Sequence, residues 1–190
     1  TTDGGLTWIP KQNLDVIFYD IHFSNIFNLI YHDFSMQVSN SPIAVFDSGL
    51  GSLSVIRELK SLLPLEDLIY LADTENFPYG TKTSEDLQLI MKSTVESLEP
   101  FGPKLIIVAS YTPSVQHLSY IKKCTSVPIL GISLPLTQAV KLTKTKHIGI
   151  MATQSALQSS QLQRLIAKIP QRIFVTQINA SPLIDTIEDC

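Results

Sequence analysis

An α/β fold built on an open parallel sheet with flanking helices is the architecture this 190-residue chain predicts. From Pro42 onward, short and almost unbroken apolar runs alternate with longer amphipathic stretches, the pattern of buried parallel strands joined by crossover helices. The runs are short and rich in Val and Ile, which favours strand over buried helix. With 44% hydrophobic and 16% charged residues, a chain of this size buries about 70% of its unfolded surface, in one full domain or two small lobes.

Strands are expected over residues 43–46, 68–71, 105–109, 128–132, 147–151 and 173–178. Between the first two, Leu53, Val55, Ile56, Leu59, Leu62 and Leu63 line one helical face, and Pro64 stops that helix. Ser84-Glu85-Asp86 opens a second helix running to about Leu98, where Pro100 and Gly102-Pro103 break the pattern. Further helices are expected to start near Pro113, Pro135, Ser155 and Pro182, because proline is tolerated in a first turn and serine caps one. No repeat of fixed period and no low-complexity tract is visible.

Residues 1–41 differ in character, being rich in aromatics and Asn and closed by the polar run Gln37-Val38-Ser39-Asn40-Ser41. A boundary near Ser41 follows. The stretch from Thr1 to Trp8 resembles one Asp-box hairpin of a β-propeller, but a propeller needs several copies, and an ordinary Asp-Gly turn with a hydrophobic anchor reads the same way. The apolar stretch 14–31 contains Asp15, Asp20, His22, Asn25 and Asn28, and no basic run precedes it. It reads as neither signal peptide nor membrane span, and its periodicity fits a strand or a helix added to the main body.

Fourteen Lys and Arg against seventeen Asp and Glu give a net charge of −3, without the basic excess that nucleic acid attracts. Two cysteines, Cys124 and Cys190, are too few for a disulfide scaffold and have no metal-ligand spacing, so unpaired thiols in a reducing cytoplasm are expected. His22, His32, His117 and His147 read as core or surface residues. No metal site is expected.

In an open parallel sheet, ligands bind beyond the carboxyl ends of the strands, and three such junctions carry unusual residues. At the first, a strand ends in Asp47-Ser48-Gly49 and turns through Gly51 into a helix. Either Asp47 exchanges a proton or holds an ammonium while the glycines admit an anion, or Asp47 or Ser52 caps the helix and the glycines make the turn. The second, Asp73-Thr74 leading to Pro78-Tyr79-Gly80-Thr81-Lys82, offers a turn, a phenol and a hydroxyl for a small polar substrate. A plain turn with a packed Tyr has the same residues. At the third, Ser110-Tyr111-Thr112-Pro113-Ser114 is rich in hydroxyls, and Ser110 as nucleophile would need a base that the sequence does not place.

These junctions in this order, with the Val127-Pro128-Ile129-Leu130-Gly131-Ile132 strand after them, resemble glutamate racemase of the aspartate/glutamate racemase superfamily. The resemblance covers about residues 42–190 and is most specific between Ile43 and Lys82. It implies a racemase-type first lobe, about residues 42–110, and part of a second, about 111–190. It also implies cofactor-independent interconversion of L- and D-glutamate for peptidoglycan, by two cysteines on opposite faces of the α-carbon. Asp47 and Ser48 fall on the family's substrate-binding pair, with Asp47 also assisting proton transfer, and Pro78, Tyr79 and Gly80 on its substrate-contacting turn.

Where the family carries Cys-Asn-Thr after the third strand, this chain has Ser110-Tyr111-Thr112. The resemblance therefore puts Ser110 at a catalytic position and Tyr111 and Thr112 among the substrate contacts. Neither Cys124 nor Cys190 matches the second cysteine. A serine hydroxyl offers no ionised fraction comparable to that of a thiol with a reference pKa of about 8.5. The expectation is a glutamate racemase-like protein, degenerate or truncated and weak or inactive in this chain, with glutamate or a similar amino acid as ligand. The alternative is a non-catalytic member that binds an amino acid or a protein. A homodimer is a further expectation, since uncovered apolar surface is rarely left unpaired.

Overall fold

The computed structural model describes residues 41–188. The Asp-box-like hairpin, the apolar stretch 14–31, His22, His32 and Cys190 lie outside the described residues. Strand β1 (Ile43–Asp47) is buried along its whole length, between β2 (Leu68–Ala72) and β3 (Leu105–Val108). All three run parallel, with Ile43 opposite both Leu68 and Leu105.

The unbroken apolar pattern of β1 and β3 follows from cover on both faces. Helix α1 (Ser52–Leu62) lays Val55 and Leu59, with Leu63 beyond its end, on the face formed by Ile43, Val45, Leu105 and Ile107. Helix α2 (Ser84–Leu98) lays Leu87, Met91, Val95 and Leu98 on the opposite face, against Ala44, Phe46, Ile106 and Val108. The Thr83 hydroxyl accepts the Asp86 N–H at 3.1 Å and so caps α2. Gly102, left-handed at φ 60°, closes the short 3-10 turn Glu99–Phe101 after it.

Helix α3 (Tyr111–Ile121) carries Pro113 in its first turn and returns the chain to β4 (Ile129–Gly131), which pairs with β3. The sheet order is β2-β1-β3-β4. The division expected near residue 110 therefore falls inside this sheet. Ile129 completes the same buried cluster as Ile106 and Ile121, so burial draws β4 to the edge of β3.

After α4 (Leu136–Leu142) a second sheet begins, with β5 (His147–Ala152) parallel to β6 (Phe174–Asn179). The helix expected near Ser155 is two short ones, α5 (Gln154–Leu157) and α6 (Ser160–Ile166), because Thr153 and Ser159 each offer a hydroxyl to a new first turn. Ile148, Ile150, Ala156, Leu157 and Leu162 form the second core, and α7 (Ser181–Glu188) follows β6. No described helix is long and apolar enough to cross a membrane.

Candidate functional site

Asp47 is the last residue of β1 and is buried, with its Oδ1 accepting the Ser48 N–H at 2.7 Å. The turn that follows is held from below. Buried Ser52 donates to the Gly49 carbonyl at 3.0 Å and shares a 2.7 Å hydrogen bond with the Tyr70 hydroxyl of β2. Ser52 thus takes the turn-fixing part.

The Asp47 carbonyl accepts the Asp73 N–H at 2.8 Å, tying the end of β1 to the residue just past β2. Asp73 in turn receives the Tyr79 phenol at 2.7 Å and the Asn76 amide at 2.8 Å. Tyr79 is 2% exposed. Burial pushes its phenol well above the ordinary tyrosine range, and the hydrogen bond to Asp73 and the negative charges of Asp73 and Asp47 push the same way against a smaller opposing effect of Thr94. The phenol therefore stays a neutral donor.

Pro78 follows a cis peptide bond, and its carbonyl accepts the Thr81 N–H, closing the 3-10 turn Tyr79–Thr81. A Cβ on Gly80 would stand 2.9 Å from Thr153 Cγ2 and 3.1 Å from Thr153 Cβ, so only glycine lets this turn sit against Thr153. Thr153 Oγ1 lies 2.9 Å from Thr112 Oγ1 in the first turn of α3. Asp47, Tyr79, Gly80 and Thr112 are thus joined through Asp73 and Thr153, at the carboxyl ends of β1, β2, β3 and β5.

Ser110 occupies the junction between β3 and α3, and its hydroxyl makes no cap to the helix it precedes. Tyr111 is partly buried and packs against the second core. Cys124 follows α3 with a free thiol 3.5 Å from the Tyr120 carbonyl. His117 stays buried within α3, and His147 opens β5.

Sequence reasoning gave no role to Asp73 or Thr153. Thr153 follows Ala152, the last residue of β5, so the strand-end rule that picked out Asp47 and Ser110 would also have found it. Asp73 carries the same signal at β2.

A racemase of Herpetosiphon aurantiacus, glutamate racemase by name, is 36% identical over 151 residues, which is 80% of this chain and 59% of that protein. The glutamate racemase of Deinococcus radiodurans is 36% identical over 149 residues, covering 77% of this chain and 51% of its own. Among solved structures, glutamate racemase of Francisella tularensis in complex with D-glutamate superposes with a TM-score of 0.66 at 31% identity, over 79% of this chain and 57% of that one. The chain is similar to glutamate racemases over most of its own length. Glutamate racemase of Escherichia coli, in complex with L-glutamate and an activator, superposes with a TM-score of 0.70 at 27% identity, over 76% of this chain and 55% of that one. No family model matches the chain. It spans little more than half the length of the curated glutamate racemases it matches.

Proposed function

We propose that this chain carries the first-lobe half of a glutamate racemase-type site, which binds glutamate or a similar small amino acid and by itself does not racemise it appreciably. Asp47 and Ser48, the Pro78-Tyr79-Gly80 turn and Thr112 supply the ligand contacts in this reading, with Asp47 beside the α-carbon. The observation that carries it is the convergence of these residues around a strand end that bears Ser110 rather than a thiol. Racemisation needs a base on one face of the α-carbon and a proton donor on the other. A positioned acid or base contributes about 10²- to 10⁴-fold each, so a chain with neither thiol in place falls short by several orders of magnitude.

The test is loss of the glutamate α-proton into deuterated water, followed by NMR, beside calorimetric titration with L- and D-glutamate. Saturable binding of either enantiomer without exchange is expected. Racemisation at an ordinary enzymatic rate that disappears in Asp47→Asn overturns the inactive reading and gives the chemistry to Asp47.

A protein-interaction role is favoured by one observation. Phe174 is 68% exposed where it pairs with His147, and Met151, four residues further along β5, is also exposed, so apolar surface is open on β5 and β6. Self-association into a homodimer through that face is expected to show as a concentration-dependent mass in light scattering. A monodisperse monomer removes this reading. A cytoplasmic setting fits the free Cys124 thiol.

A further inference from the structure

Asp73 stands where four parts of the fold meet. Its N–H is held by the end of β1 through the Asp47 carbonyl at 2.8 Å. Its Oδ1 accepts from Asn76 in the following turn at 2.8 Å, and its Oδ2 accepts from the Tyr79 phenol at 2.7 Å and from Thr94 of α2 at 3.4 Å. The backbone bond fixes Asp73 relative to the strand end, and the carboxylate fixes the loop relative to Asp73.

A phenol has one proton, and that of Tyr79 is given to Asp73. None is left to donate to a ligand. What the Tyr79 ring does instead is set the place of the next residue, because the ring is buried and Gly80 is seated on Thr153 with no room for a Cβ. Thr153 is bonded to Thr112, so a shift of the ring is passed to both sides of the site.

We infer that Asp73 is a positioning residue of this site, anchoring the Pro78-Tyr79-Gly80 turn against Thr153 and Thr112 through the Tyr79 phenol. The consequence for ligand affinity rests on the glutamate-binding reading above, whereas the anchoring itself does not. A charge-assisted hydrogen bond from a buried phenol to a carboxylate is short and directional, which suits a strut.

The experiment compares the full chain with Tyr79→Phe, Asp73→Ala, Asp73→Asn and the double variant Asp73→Ala/Tyr79→Phe. In NMR spectra without ligand, a slowly exchanging hydroxyl proton is expected in the unmodified protein and absent from Tyr79→Phe and Asp73→Ala. The Gly80 amide and Thr153 methyl resonances should move in both single variants and no further in the double one. Asp73→Asn keeps a carbonyl acceptor for the phenol and should restore the resonances in part. Calorimetry with L-glutamate should show affinity about fivefold weaker or more in each single variant and no weaker in the double, since residues acting through one bond are not additive.

Additive effects, or Gly80 and Thr153 resonances that stay in place, overturn the inference. An unmodified chain that binds neither glutamate enantiomer overturns the glutamate-binding reading, and the ligand-free resonances then decide the positioning role alone. Tyr79→Phe removes only the hydroxyl, so this comparison survives even if Asp73→Ala does not fold.

Discussion

Ser110 sits at a helix entrance without capping it, so its hydroxyl can be exchanged for a thiol at little structural cost. Ser110→Cys is expected to change stability by no more than about 0.5 kcal/mol, read from a urea denaturation midpoint. Its effect on chemistry should be larger and lopsided. A thiol with a reference pKa of about 8.5 is partly ionised near neutral pH and can take an α-proton from one face. It cannot deliver one to the other. The variant should therefore exchange the α-proton of one glutamate enantiomer with solvent deuterium while producing little of the opposite enantiomer; full racemisation from this single change would refute the one-sided account. At Gly80 the constraint is steric rather than chemical. Gly80→Ala forces a Cβ to within 2.9 Å of Thr153 Cγ2, and overpacking of this kind costs about 1–3 kcal/mol. Thr153→Ser removes that methyl and keeps the oxygen that caps α5 and meets Thr112. Thermal unfolding should then find Gly80→Ala/Thr153→Ser more stable than Gly80→Ala, and an equal or lower melting temperature for the pair would mean the clash lies elsewhere.

The helices show how much could be read from the chain before any coordinates. Pro64 after Leu63 marked the end of α1, and Ser84-Glu85-Asp86 the start of α2, because starting and breaking a helix are local chemistry. The region near Ser155 was less legible, since two hydroxyls six residues apart, Thr153 and Ser159, start separate helices and no periodicity in so short a span reveals the break. His117 shows what the pattern alone hides. It lies on the buried face of α3, with its Nδ1 3.4 Å from Gln88 Nε2 of α2 and its Nε2 without a hydrogen-bond partner among the described residues. Burial holds its pKa below the ordinary 6.5, against a smaller opposing effect of the Glu85 charge. In the unfolded chain the imidazole binds a proton near 6.5, whereas in the fold it does so only at lower pH. The unfolded state thus gains protons first as pH falls, and this contribution to stability is complete above about 6.5 and lost progressively below it. Denaturation midpoints measured between pH 8 and pH 5 should fall more steeply for the unmodified chain than for His117→Leu; parallel profiles would show that His117 does not carry the effect.

For the molecule as a whole, the strands were legible and their partners were not. Residues 43–46 and 105–109 read as strands because a sheet covered on both faces leaves no polar position, but which strand takes which edge depends on contacts far apart in the chain. That is why β4 belongs to the first sheet although the expected division lay near residue 110. The same reasoning applies to the residues proposed to hold the ligand: their strand-end positions follow from sequence, while the links through Asp73 and Thr153 needed the turns to be folded. The two sheets differ in how well they are covered. In the first, β1 and β3 are buried along their whole length between α1 on one side and α2 on the other. In the second, β5 and β6 place Ile148, Ile150 and Val175 on the core while Met151 and Phe174 stay exposed, and a two-stranded ladder is marginal unless something packs on it. Helix α3 reaches both, because Ile121 lies in the first core and Val115 in the second. Local opening should therefore begin at β5 and β6 and stop at α3. Native-state hydrogen exchange is expected to show β1 and β3 amides protected at least about tenfold more than those of β5 and β6, a difference of about 1.4 kcal/mol. Val115→Ala, which removes on the order of 2 kcal/mol of packing, should widen that gap by lowering protection in β5 and β6 while β1 and β3 change less. Equal protection in both sheets, or an equal loss in both on Val115→Ala, would mean that they open as one unit and that α3 is not the hinge between two levels of stability.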